Sequence, residues 1–156
     1  MKQATTIFTK ESQVNSSFYP KSAGISLVVI AAIALYYLVK LFALLQPASL
    51  LRLDLPMPEG YWPLALTTLA LIIATEAILQ TVLAIGAGNV PAQTEQEQTA
   101  SLKANRNAYA LLVAGVFATF ATLFFNPSPF VMGNLLLMVF VLAELTKYAS
   151  QLFYQR

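Results

Sequence analysis

Long apolar runs separated by short polar interruptions dominate the chain. No charged residue occurs from Ser22 to Val39, and the run continues past Lys40 to Leu45. That predicts one helix of about 22 residues, enough to cross a bilayer. Three prolines and Gly60 in the stretch Gln46–Trp62 then stop it, and Leu50, Leu51, Leu53 and Leu55 are expected to form a short turn in the membrane interface. A second run, from about Trp62 to Ala87, is interrupted only by Glu76 and Gln80 and is closed by Gly86, Gly88 and Pro91. The segment Asn89–Asn107, NVPAQTEQEQTASLKANRN, has the composition of an exposed linker, part of which can extend the helix that follows. Ala108–Phe125 is again uncharged, and Asn126, Pro127, Ser128 and Pro129 predict a tight turn, because each proline disfavours helix in the residue before it. The last run begins near Phe130 and reaches about Leu152, with Glu144 and Lys147 in its second half.

This pattern predicts an all-α integral membrane protein with four transmembrane helices arranged as two tandem helical hairpins. The expected spans are residues 22–45, 62–87, 108–125 and 130–152, forming one membrane domain over 22–152 between a polar N-terminal segment, 1–21, and a short tail, 153–156. Lys and Arg of short loops stay cytoplasmic. Seven of the nine basic residues (Lys2, Lys10, Lys21, Lys103, Arg106, Lys147 and Arg156) fall on one side of such a bundle, and only Lys40 and Arg52 on the other. Both termini are therefore expected to be cytoplasmic. The N-terminal segment lacks the zones of a cleavable signal peptide, so the first helix is expected to act as its own insertion signal. Lys40 is expected to snorkel to the headgroups beside an aromatic belt of Tyr36 and Tyr37.

Composition supports this class. Of 156 residues 58% are hydrophobic and 10% charged, whereas about a quarter of residues are charged in ordinary soluble domains. The chain has no Cys and no His, which removes disulfides, thiolate nucleophiles, the usual zinc sites, iron–sulfur clusters and histidine-held haem. A net charge of +2 gives no basic face for nucleic acid. Neither a P-loop nor a G-x-S-x-G nor an aspartate-rich metal motif occurs. The expectation is no enzymatic activity and no cofactor.

Charges inside the spans are the candidates for chemistry, since an ionisable side chain there costs about 2.5 to 3.5 kcal/mol on insertion scales. Glu76 is the sharper one, because its sequence neighbours include no basic residue within a turn. Thr75 and Gln80 are candidates to hydrogen-bond it, Gln80 lying on the same face. Glu144 has Lys147 three residues on to neutralise it. Both glutamates follow the start of their span, Trp62 or Phe130, by the same 14 residues, about 21 Å at 1.5 Å per residue. The sequences LLQP and FFNP, at Leu44–Pro47 and Phe124–Pro127, end the first helix of each half, which gives a weak sign of duplication. Ala110, Ala114 and Ala118 recur every four residues with Thr122, a small-residue stripe expected to form a helix-packing interface within the bundle or with another subunit. Phe117, Phe120, Phe124 and Phe125 are expected to cover lipid or a partner.

The length, the four spans and Glu144 in the fourth helix resemble the duplicated proteolipid of rotary V-type ATPases, which carries its coupling ion on a mid-membrane carboxylate. The chain departs from that family in having six glycines in all, with only Gly115 and Gly133 near the membrane part of its second half. Small multidrug transporters also use a membrane glutamate among four helices, but in the first helix and in a shorter chain. The plan with polar termini is similar to plastid and cyanobacterial translocon or photosystem assembly factors, without a shared motif.

The leading expectation is a small accessory or assembly subunit docking to a larger membrane complex, with membrane lipids and other integral subunits, or copies of itself, as partners. The alternative is a proton-linked small transporter or channel using Glu76, with Thr67, Thr68, Thr75, Gln80, Thr81, Thr119 and Thr122 as the few polar groups for a pathway. A third is a lipid- or quinone-binding protein. The bacterial plasma membrane and a thylakoid or other organellar membrane fit the pattern equally.

Overall fold

The computed structural model describes residues 18–45, 54–86 and 94–155, without the side chains of 18–20, 79, 80, 82–84 and 86. Four long helices account for nearly all of this: α1 (Phe18–Leu44), α2 (Tyr61–Gly86), α3 (Glu95–Ala121) and α4 (Pro129–Tyr154). No strand occurs among the described residues. By length and composition all four can cross a membrane, the pattern of a multi-pass membrane protein. How the helices are joined into hairpins depends on 46–53 and 87–93. Those segments lie outside the described residues, as do the expected interfacial leucines Leu50, Leu51 and Leu53 and most of the N-terminal segment.

The largest departure from the sequence pattern is the start of α3, thirteen residues before the expected span. The stretch read as linker is helical because it carries its own start signal. Thr94 caps the helix through its side chain, accepting from the Glu97 amide at 3.2 Å, while Glu97 returns to the Thr94 amide at 2.9 Å. This is a capping box. Glu95 and Glu97 also place negative charge in the first turn, where the helix dipole favours it. At its far end α3 tightens into a 3₁₀ turn, Thr122–Phe125, and Asn126 closes it with φ of 51°, a left-handed conformation that Asn tolerates. Ser128 then caps α4, with Pro129 in its first turn.

α1 packs on α2, α3 on α4, and α4 also on α1. α1 and α4, each packed on two neighbours, thus form the middle of the bundle, and α2 and α3 lie at its edges. Two clusters lock α1 and α2 to α4. At the end containing the Asn126 turn, Tyr37, Leu41, Tyr61, Ala65 and Phe130 form a buried core, in which Tyr61 and Phe130 meet edge to face at 4.8 Å between centroids. Tyr37 is fully buried and donates its hydroxyl to Asn134, whose amide donates to the Phe130 carbonyl at 2.9 Å. The expected belt of Tyr36 and Tyr37 is therefore divided: Tyr36 is exposed under the Lys40 ammonium, and Tyr37 holds helices together. At the opposite end Ala23 and Ile30 of α1 pack on Tyr148 of α4.

α3 meets α4 along Ala100, Ala104, Ala108 and Thr119, all buried, with Gly115 between them against Val139. In lipid, where apolar contact alone gives no preference for another helix, such small residues allow the close backbone approach that holds helices together. Ala110, Ala114 and Ala118 lie on the exposed side of α3. Within this chain the stripe is consequently not the packing seam; the seam runs along the next face.

A Cβ added at Gly115 would overlap the Val139 methyls, and the β-branched Val139 has little rotamer freedom to retreat. Gly115→Ala is expected to cost about 1 to 3 kcal/mol, the usual range for overpacking. Adding Val139→Ala should restore most of it, as read by thermal unfolding in detergent.

Candidate polar cluster between the second and fourth helices

Glu76 sits midway along α2 and finds its partners on α4. Lys147 Nζ donates to Glu76 Oε1 at 3.0 Å and to Glu144 Oε2 at 2.6 Å. Tyr148 donates its hydroxyl to the same Glu76 oxygen at 2.7 Å. One ammonium thus bridges two carboxylates on different helices, and the Lys147 chain also passes over the Tyr148 ring at 4.6 Å from its centroid. The three charged side chains are about one-fifth to one-quarter exposed. α1 adds apolar Ala23, Leu27 and Ile30 against Tyr148.

The local cause is helix geometry. Glu144 and Lys147 are three apart and so share a face, and helical side chains lean toward the N-terminus, which draws Lys147 back to the level of Glu144. Glu76 stands at that same level because α2 and α4 start together, with Tyr61 against Phe130. Of the residues the sequence singles out, Glu76 and Glu144 are brought together. Thr75 supplies none of these hydrogen bonds, and the Gln80 side chain lies outside the described residues. The role of Lys147 toward Glu76 was not evident from the sequence, where it counts only as the neighbour of Glu144. The equal 14-residue offsets of the two glutamates were the available signal.

Four threonines of the spans bond back to their own helices. The hydroxyls of Thr68, Thr81, Thr119 and Thr122 donate to the carbonyls of Leu64, Ala77, Gly115 and Thr119 at 2.6 to 2.9 Å. This satisfies them without a second helix or water, as an apolar surrounding requires. Among the described residues, no group of three acidic side chains capable of holding a metal ion occurs.

Searches against protein-family models, curated proteins and solved structures return no match for this chain.

Because Lys147 serves two carboxylates, Lys147→Met should destabilise the protein more than Glu144→Gln, which leaves the link to α2 intact. Hydrogen bonds between membrane helices contribute about 0.6 kcal/mol on average and 1.7 at most in double-mutant cycles, so Tyr148→Phe is expected near the lower figure. Unfolding in mixed micelles gives the ranking.

Proposed function

We propose that this chain is a small, non-enzymatic accessory or assembly subunit of a larger membrane complex, built as two tandem hairpins with both termini cytoplasmic. One observation carries the reading. α3, at the edge of the bundle and packed on α4, presents to the outside both the small-residue stripe Ala110, Ala114 and Ala118 and the large side chains Phe117, Phe120, Phe124 and Phe125. Small residues admit a foreign transmembrane helix to close range, and the flanking aromatics supply contact area. The occupant that fits is a transmembrane helix of another subunit. Glu76, Glu144 and Lys147 are meanwhile bonded to one another inside the bundle, which suits a structural part.

A second reading rests on the cluster itself. Two carboxylates share one lysine, so one carboxylate lacks a matching cation, the kind of group that a proton-linked transporter uses. Against it, four of the six threonines proposed for a pathway, Thr68, Thr81, Thr119 and Thr122, are bonded to their own helices.

Gentle extraction from the native membrane separates the two. The subunit reading predicts stoichiometric recovery in a larger complex, and release of a folded chain from it by Ala114→Leu with Ala118→Leu. Recovery as a solitary protein, with reconstituted proton flux abolished by Glu76→Gln, would replace that reading with the transporter.

A further inference from the structure

Where α3 begins and α4 ends, a cavity of about 340 Å³ opens between Glu95, Gln96, Thr99, Ala100 and Lys103 of α3 and Tyr154 of α4. That is within the range of small-ligand sites, about 300 to 1,000 Å³. The capping box bonds the Thr94 and Glu97 amides at the start of α3, and the polar side chains that line the cavity supply its chemistry.

Those side chains are sorted along the helix axis. Donors lie at the membrane-facing end. Lys103 Nζ stands 5.6 Å from the Tyr154 ring centroid, and the Tyr154 oxygen accepts from Asn107 Nδ2 at 3.1 Å, which leaves its hydroxyl hydrogen to donate. Acceptors lie at the other end, the Glu95 carboxylate and the Gln96 amide oxygen, and Thr99 Oγ1, whose hydrogen is given to the Glu95 carbonyl at 2.8 Å, adds an acceptor level with Tyr154. Measured along the helices from the Asn126 turn, Lys103 is about 33 Å away and Tyr154 about 38 Å at 1.5 Å per residue. A hydrocarbon core is about 30 Å thick, so both reach the headgroup layer. Glu95, about 45 Å away by the same measure, reaches the water side.

We propose that this cavity binds the headgroup of an amine-bearing phospholipid, with its phosphate on Lys103 and Tyr154 and its ammonium on Glu95, Gln96 and Thr99. The order of charges matches such a lipid, whose phosphate lies nearer the hydrocarbon than its amine. A quaternary ammonium headgroup fits less well, because it offers no N–H to the three acceptors and the aromatic face it would seek is covered by Lys103. An anionic headgroup without an amine would oppose Glu95. The proposal rests on the membrane-spanning character of the helices and is independent of the docking reading.

The test is native mass spectrometry of the full chain released from nanodiscs made of equal parts phosphatidylethanolamine, phosphatidylcholine and phosphatidylglycerol. Retained phosphatidylethanolamine should exceed its bulk ratio several-fold. Lys103→Gln should abolish the enrichment, and Glu95→Gln should shift it toward phosphatidylglycerol; both positions are solvent-exposed, and circular dichroism verifies that the variants fold. Retention at the bulk ratio, or enrichment that neither variant alters, would overturn the proposal. Displacement of the lipid by soluble phosphoethanolamine at matching concentration would reassign the cavity to a water-soluble amine phosphate.

Discussion

A lysine held between two glutamates is the interaction on which the arrangement of these helices turns. Lys147 bonds Glu144 on its own helix and Glu76 on α2, and Tyr148 joins from the next position. Placed among apolar spans, each of these groups would be expensive alone, since lipid offers no hydrogen-bond partners. Together they supply each other's partners. The cost of separating them is what holds α2 against α4 at this level, while contact between apolar surfaces in lipid gives little preference for one neighbour over another.

The rest of the bundle follows the same constraint by different means. At the opposite end Tyr37 donates to Asn134, which donates onward to a backbone carbonyl, so α1 is tied to α4 through polar atoms inside an apolar cluster. α3 has no such tie in its membrane portion. It is held by fit, through Ala104, Ala108 and Gly115 against α4, and near its start by the Asn107 bond to Tyr154. Having spent one face on α4, it leaves the other outward, and that asymmetry is the basis for reading the chain as a docking part.

The spans themselves were legible from the sequence, because runs such as Ser22–Val39 and Ala108–Phe125 admit few alternatives, and the Asn126–Pro129 turn formed where the prolines required. The beginning of α3 was less legible. Composition marked 89–107 as polar and exposed, which is true of a linker and of a helix rising out of the membrane alike; the capping pair Thr94 and Glu97 decides between them. The alanine stripe shows a limit of a different kind. Small residues occur on two faces of α3, and the sequence does not say which face meets α4; Gly115 against Val139 does. For the polar cluster, depth was readable from the offsets of Glu76 and Glu144, but the partner was not, since Tyr148 and Lys147 belong to a helix about seventy residues away and only packing brings them near.

If the lysine bridge positions α2 on α4, its effect on stability must depend on the charges it bridges. The decisive measurement compares unfolding free energies of Lys147→Met alone with those of Lys147→Met combined with Glu76→Gln and Glu144→Gln. Removing only the lysine strands two carboxylates and should destabilise strongly, whereas removing all three charges should recover most of the loss, as replacement of an entire buried ion cluster often does. A triple variant as unstable as the single one, or a single variant indistinguishable from the parent, would show that the bridge does not hold these helices together.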